Sequence, residues 1–145
     1  MPATTRCLRV PARLNQLDCV HQLVRGCAEQ AGLGEQAAFA CELSADEAFV
    51  NIIQHAYGGE SDQPVVVRCR LFARALVISF VDEGIAWDPR PPQAPDWTRD
   101  IELLTAGGLG RLIMHRAMDR VRFRRRRGRN YLTLCKLTPP DRGAR

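Results

Sequence analysis

The chain predicts an α/β two-layer sandwich: a single mixed or antiparallel sheet with its helices collected on one face. Three observations carry this. Two long stretches near the start repeat apolar residues at helical spacing. Two pairs of β-branched runs are each joined by a short turn. A proline-rich stretch separates those two hairpins, so the second must return to the sheet formed by the first.

Taken in order, residues 6–10 (RCLRV) read as a short strand that Pro11 breaks. Leu14, Leu17, Val20, Leu23, Val24 and Cys27 then recur at helical spacing up to the Gly-Leu-Gly of 32–34. A second helix is expected from about Glu35 to Tyr57, ending at Gly58-Gly59. Phe39, Leu43, Phe49, Val50, Ile52, Ile53 and Ala56 supply its apolar surface, and Asp46, Glu47, Asn51, Gln54 and His55 a narrow polar sector.

Val65–Phe72 and Ala75–Val81 form a hairpin through Ala73-Arg74, and the nearly continuous apolar ALVISFV reads as a central strand. Residues 87–106 lack periodicity and contain Pro89, Pro91, Pro92 and Pro95. An unstructured loop of about 20 residues inside a compact domain is uncommon and fits a mobile lid. Gly107-Gly108-Leu109-Gly110 opens a helix through Leu112, Ile113, Ala117 and Met118. Arg120–Arg126 and Tyr131–Leu137 make the last hairpin, with Arg127–Asn130 as its turn, and the tail from Pro139 is expected to fray. Val121 and Phe123 alternate with arginines, which predicts one buried and one strongly positive face.

Composition bounds the function. The 145 residues, 46% hydrophobic and 26% charged, fit one domain over 1–145 with an ordered core at about 6–137. No apolar run approaches the roughly 18 residues that span a bilayer. The first residues, MPATTRCLRV, lack the apolar core of a signal peptide, so a cytoplasmic protein with no membrane partner is expected. Cysteines 7, 19, 27, 41, 69 and 135 include no C-x-x-C pair and read as reduced core thiols. His21, His55 and His115 show no metal-ligand spacing. The net charge is +5 and Lys136 is the only lysine, so a phosphate-binding loop of the G-x-x-x-x-G-K-[ST] kind is absent.

Chemistry concentrates in three places. Glu47 and Asn51 sit four apart on the second helix, so both side chains share a face. A carboxylate and a carboxamide there can orient a hydroxyl nucleophile and hold a hydrated Mg²⁺, which prefers oxygen ligands and keeps several waters. Alone, such a pair also occurs on many solvated helices. Asp82 surfaces at the end of a buried strand, where a carboxylate can accept a hydrogen bond from an exocyclic amine such as that of adenine. Gly84 removes a side chain so that a flat ring can approach the backbone, although Asp-x-Gly is also a common strand-end turn. Gly107, Gly108 and Gly110 at a helix start offer free N–H groups and a helix dipole to an anion.

The ordered set Glu47-x-x-x-Asn51, Asp82-x-Gly84 and Gly107-Gly108-Leu109-Gly110 resembles the N, G1 and G2 boxes of the GHKL ATPases. The wording LSADEAFVNIIQHAY, VISFVDEGIAWDP and GGLGRLIMHRAMDRV is similar to that of the small anti-sigma-factor serine/threonine kinases, the RsbW-like group. The resemblance covers about residues 6–137. It implies a Bergerat fold that binds Mg-ATP. Asn51 would hold Mg²⁺, Glu47 would be the general base on the acceptor serine, and Asp82 and Gly84 would meet the adenine. Gly107, Gly108, Leu109 and Gly110, with the lid, would cradle the phosphates. The implied partners are a STAS-domain anti-anti-sigma protein, a sigma factor and a second copy in a homodimer. Many relatives carry a threonine after the glycine of the last hairpin, where this chain has Asn130.

Two other readings compete with the kinase. One is a non-catalytic module of the same fold that binds nucleotide or partner without transferring phosphate; retention of Glu47 speaks against it. The other is a nucleic-acid binder, motivated by Arg122 and Arg124–Arg127. The hairpin lacks the interleaved aromatics of a base-stacking surface, so no direct nucleic-acid contact is expected.

Overall fold

The computed structural model describes Pro2, residues 4–87 and residues 114–139. Its strands are β1 (Thr4–Pro11), β2 (Pro64–Phe72), β3 (Ala75–Asp82), β4 (Arg120–Arg126) and β5 (Arg129–Leu137), in the sheet order β1-β2-β3-β5-β4. Every neighbouring pair is antiparallel, which resolves the mixed-or-antiparallel alternative. The helices α1 (Leu17–Gln30) and α2 (Glu35–Asn51) pack on each other and on one face of the sheet.

The core lies between these layers. Val20, Val24 and Cys27 of α1 and Ala45, Ala48 and Phe49 of α2 meet the alternate residues Val65, Val67, Cys69, Ile78, Phe80, Leu132 and Leu134 of the sheet. Residues 114–117 are helical and Met114 is fully buried in the same core. The glycine cluster at 107–110, the rest of the expected lid and the start of the third helix lie outside the described residues.

Several boundaries differ from expectation for local reasons. β1 runs the full length of β2, from Thr4 opposite Leu71 to Pro11 opposite Pro64, because proline is tolerated at the end of an edge strand. Leu14 belongs to a 3₁₀ turn and is exposed; α1 starts at Leu17. Gly32 ends α1 with φ +73° while Leu33 N–H donates to Ala28 O, a glycine C-cap as the pattern predicts. Phe39 is 62% exposed rather than part of the α2 apolar face. It lies two residues from buried Cys41, about 200° around a helix of 3.6 residues per turn.

The last hairpin turns on two residues only, Arg127 (φ +52°) and Gly128 (φ +74°). This left-handed pair matches the twist of the flanking strands. Arg129 and Asn130 therefore belong to β5, not to the turn. Of the six free cysteines, Cys27, Cys41 and Cys69 are buried, but Cys7 and Cys19 are exposed, so the expected set of core thiols is only half of them. Cys7 stands on the sheet face away from the helices and Cys19 on a solvent-facing side of α1. No helix among the described residues is long and apolar enough to cross a membrane.

Candidate functional site

Asp82 is the last residue of the central strand and only 1% exposed. Its Oδ1 accepts from the Gly84 N–H at 2.9 Å and from Asn130 Nδ2 at 2.8 Å. The β3–β5 register sets Asn130 directly opposite Asp82. The same Nδ2 donates to Ile85 O at 2.8 Å, and Asn130 Oδ1 accepts from Arg125 Nη1 at 2.9 Å. Arg125 Nη1 also donates to Gly84 O at 3.0 Å. Neither bond to the Asp82 carboxylate uses Oδ2. Burial pushes the Asp82 carboxyl above its usual range, and the Asn130 and Gly84 bonds oppose that shift without cancelling it. The Trp87 indole N–H is buried and favours the Asp82 charge by proximity, but it does not reach hydrogen-bonding geometry. Its ring packs edge-on against Phe123, with centroids 5.5 Å apart.

Gly84 has a reason of its own within the fold. A Cβ there would lie 2.3 Å from Ala56 O. Ala56 closes a wide π-helical turn, Ile52–Ala56, that continues α2, and its carbonyl accepts from Ile85 N–H at 2.9 Å. Such turns concentrate at functional sites, and the sequence pattern reads them only as more helix. Next to it, Tyr57 Oη accepts from Glu83 N–H at 2.8 Å and donates to Pro64 O at 2.6 Å. The end of α2 is thereby stitched to the strand end that carries Asp82.

Asn51 and Glu47 lie about one and a half and two and a half turns upstream of Ala56. The structure thus places Glu47 and Asn51 on the helix whose π-helical end, at Ala56, meets Gly84 beside Asp82. Asn51 is 2% exposed, and its Nδ2 is buried with no hydrogen-bond partner among the described residues. Glu47 is half-buried, and its carboxyl is pushed above the usual range, chiefly by burial and then by the charge of Asp46. Gln54 and His55 turn to solvent, so the polar sector expected along α2 splits into a buried part and an exposed one.

The raised Glu47 carboxyl has a measurable consequence. Stability is whole below the unfolded carboxyl value of about 4.3 and is lost as pH rises through the raised folded value. Glu47→Gln is therefore expected to raise the thermal midpoint at about pH 7 and to leave it unchanged near about pH 3.5. Thermal denaturation at both values checks this, and a variant melting below wild type at the higher pH would contradict it.

Sequence reasoning missed Arg125 and the part played by Asn130, because neither contact can be known without the strand register. It also missed an ionic cluster between the helices. His21 faces Glu42 Oε2 at 3.3 Å through Nε2 and Asp46 Oδ2 at 3.4 Å through Nδ1, and Arg25 Nε lies 3.4 Å from Glu42 Oε1. The signal was present as acids and bases recurring on facing helices, but their pairing depends on how α1 crosses α2.

Comparison with known proteins agrees with this geometry. Residues 10–136 match the family described as the histidine kinase-like ATPase domain. The chain is 31% identical over 103 residues to the serine/threonine-protein kinase BtrW of Bordetella bronchiseptica, covering 71% of this chain and 72% of that protein. It is 28% identical over 127 residues to the serine-protein kinase RsbW of Bacillus subtilis, covering 83% and 78%. Among solved structures, the RsbU and RsbW domains of Rv1364c from Mycobacterium tuberculosis superpose with a TM-score of 0.67 at 17% identity. That match covers 96% of this chain and 34% of the larger one. The SiaB–SiaC complex from Pseudomonas aeruginosa gives a TM-score of 0.56 at 14% identity, covering 92% and 89%. The five-stranded antiparallel sheet under two helices agrees with the fold of these solved structures, and the match over residues 10–136 settles the family: this chain belongs to the histidine kinase-like (GHKL) ATPase family, in its RsbW-like group.

Proposed function

We propose that this protein is an ATP-dependent protein-serine kinase and anti-sigma factor of a partner-switching system. It transfers phosphate to a serine of a STAS-domain anti-anti-sigma protein and sequesters a sigma factor, acting as a cytoplasmic homodimer. The observation that carries this reading is the pairing of a half-buried, raised carboxyl at Glu47 with the buried carboxamide of Asn51, one turn on along α2, whose Nδ2 has no hydrogen-bond partner among the described residues. A buried donor without an acceptor is costly, and a phosphate oxygen of the nucleotide is an acceptor that would satisfy it.

ATP binding is what the family implies, and the residues present fit it. Asp82 receives the adenine amine, with Gly84 beneath the ring. The Asn51 oxygen is a suitable hard ligand for Mg²⁺, which supplies charge neutralisation at the phosphates. Gly107, Gly108, Leu109 and Gly110 are assigned to the phosphates by the family motif alone. Glu47 takes the proton of the acceptor hydroxyl as the serine oxygen bonds to the γ-phosphorus and ADP leaves. A base whose pKa has risen toward neutrality suits that step better than an ordinary carboxylate.

The test separates binding from transfer. Calorimetric titration is expected to show Mg-ATP binding by wild type and near-normal binding by Glu47→Ala. Phosphorylation of a STAS substrate by the variant should fall by about 10²-fold or more, the usual contribution of a general base. Full transfer by Glu47→Ala would remove the assigned base. No ATP binding by wild type would sink the kinase reading, leaving a partner-binding module that kept the fold.

A further inference from the structure

The face of the sheet turned away from the helices is a positively charged groove, and nothing in the nucleotide site uses it. Strand pairing arranges its residues in cross-strand rows. One row runs Arg68, Ser79, Thr133, Arg122 and the next Val66, Val81, Tyr131, Arg124. Arg9, Arg68 and Arg70 form one bank on β1 and β2; Arg120, Arg122 and Arg124 form the other on β4. The floor between them, from β3 and β5, carries no charge: Val77, Ser79, Val81, Tyr131, Thr133 and Cys135. The hollow holds about 600 Å³.

Three features set this face apart from an ordinary solvated surface. No strand position on it carries a carboxylate, and of its eight arginines, Arg126 and Arg129 at the hairpin end included, only Arg129 has an ion-pair partner among the described residues, Glu83. Arg70 Nε is buried with no hydrogen-bond partner among the described residues, and its Nη2 reaches Ser79 Oγ only at 3.5 Å. Arginine on an exposed edge strand discourages sheet-to-sheet pairing, which would account for β4. It does not account for Arg68 and Arg70, because β2 is an interior strand.

We infer that this groove docks an acidic α-helix of a partner protein, lying along the strands with carboxylates on both flanks. β2 and β4 are three strand spacings apart, roughly 14 Å, and a helix with its side chains is about 10–12 Å across. Alternate arginines on a strand repeat at about 6.7 Å, close to the 6 Å rise between helix positions i and i+4. A second copy of the chain would set arginine against arginine on this face. A nucleic-acid duplex is too wide for the groove, and a single strand would find two aromatics in its lining, Tyr131, already covered by Arg124 at 5.9 Å from its ring centre, and Phe123, already packed edge-on against Trp87. Trp87 and Met114, which flank the residues outside the description, both pack on the helix side of the sheet.

The test uses the full chain and a fluorescent alanine-based helical peptide of about 18 residues, which matches an eight-residue strand in length, with glutamates at i, i+4 spacing along two flanks. Fluorescence anisotropy is expected to show binding that weakens with salt and falls about tenfold or more in Arg68→Glu with Arg122→Glu. Arg74→Glu with Arg116→Glu, an equal charge change off the groove, should leave affinity within about twofold, and a peptide interrupted by proline should bind more weakly. Arg68→Gln with Arg122→Gln serves if the double reversal does not fold. Absence of binding, or equal loss from both pairs of reversals, overturns the proposal. So does tighter binding of oligothymidylate with the same arginine dependence, which would make this a nucleic-acid surface. A dimer in sedimentation that Arg68→Glu with Arg122→Glu dissociates would instead assign the groove to a second copy. Because the groove lies opposite the nucleotide site, failure here leaves ATP binding untouched.

Discussion

Asp82→Asn is expected to weaken Mg-ATP binding by roughly 10- to 100-fold while leaving the fold as stable as wild type or more so. A hydrogen bond to a charged group contributes about 1.5–3 kcal/mol, and each 1.4 kcal/mol is tenfold in affinity. In the variant the amide can keep one oxygen as acceptor for Gly84 N–H and Asn130 Nδ2, the two donors that now converge on Oδ1. Its NH₂ group then replaces Oδ2 and meets an incoming amine donor to donor. Stability moves the other way. Burial holds the Asp82 carboxyl above its usual range, so the ionised form opposes folding once pH passes that raised value. A neutral amide does not carry this penalty at neutral pH. Calorimetric titration beside thermal denaturation reads both quantities. Wild-type affinity in the variant would remove Asp82 from the nucleotide site, and a large fall in melting temperature would mean that its role is structural.

Gly84→Ala should be the most destabilising glycine-to-alanine change among the described glycines. The added Cβ would meet Ala56 O at 2.3 Å, Ala56 C at 2.5 Å and Ala56 Cβ at 2.7 Å. Two of the three are backbone atoms, which cannot swing aside as the end of a flexible side chain can. Relief requires the Ile85 N–H···O Ala56 bond of 2.9 Å to open and the α2 terminus to part from β3. Overpacking of this kind costs roughly 1–3 kcal/mol, and the rigid neighbours place this case near the upper end. For a chain of this size that is a fall of about 10 °C in melting temperature. Nucleotide affinity should fall as well, since the shift moves the backbone N–H that orients Asp82. A thermal midpoint within about 1 °C of wild type would show that the junction is soft and that Gly84 is not held by Ala56.

Gly84 shows how far residue patterns reach. Asp-x-Gly after an apolar strand marked a candidate site, and a reason was visible: room for a flat ring. The steric demand from Ala56 was not visible, because it comes from a helix end that arrives from 28 positions earlier in the chain. Asn130 shows the same limit. It fell within the expected turn of Arg127–Asn130, yet Arg127 and Gly128 both took left-handed positions and closed the turn in two residues. That shift of register carried Asn130 into the sheet opposite Asp82. The arginine run divided likewise. Alternation predicted a positive face, but only pairing with β5 could send Arg125 inward to Gly84 O and Asn130 while Arg122 and Arg124 joined Arg68 and Arg70 in a groove.

Period and punctuation, which depend only on neighbours along the chain, were enough to determine the two helices, the two hairpins, the layered class and the residues of the helix and strand motifs. They act through local sterics and through burial of one face, and both are written in the order of residue types. The tertiary structure alone decided the strand order, the stitch of Ala56 to Gly84–Ile85, the Asp82–Asn130–Arg125 network and the joining of two distant strands' arginines into one surface. These depend on which strand lies beside which. That choice is made by the summed burial of a whole layer, to which no single stretch of sequence holds the answer.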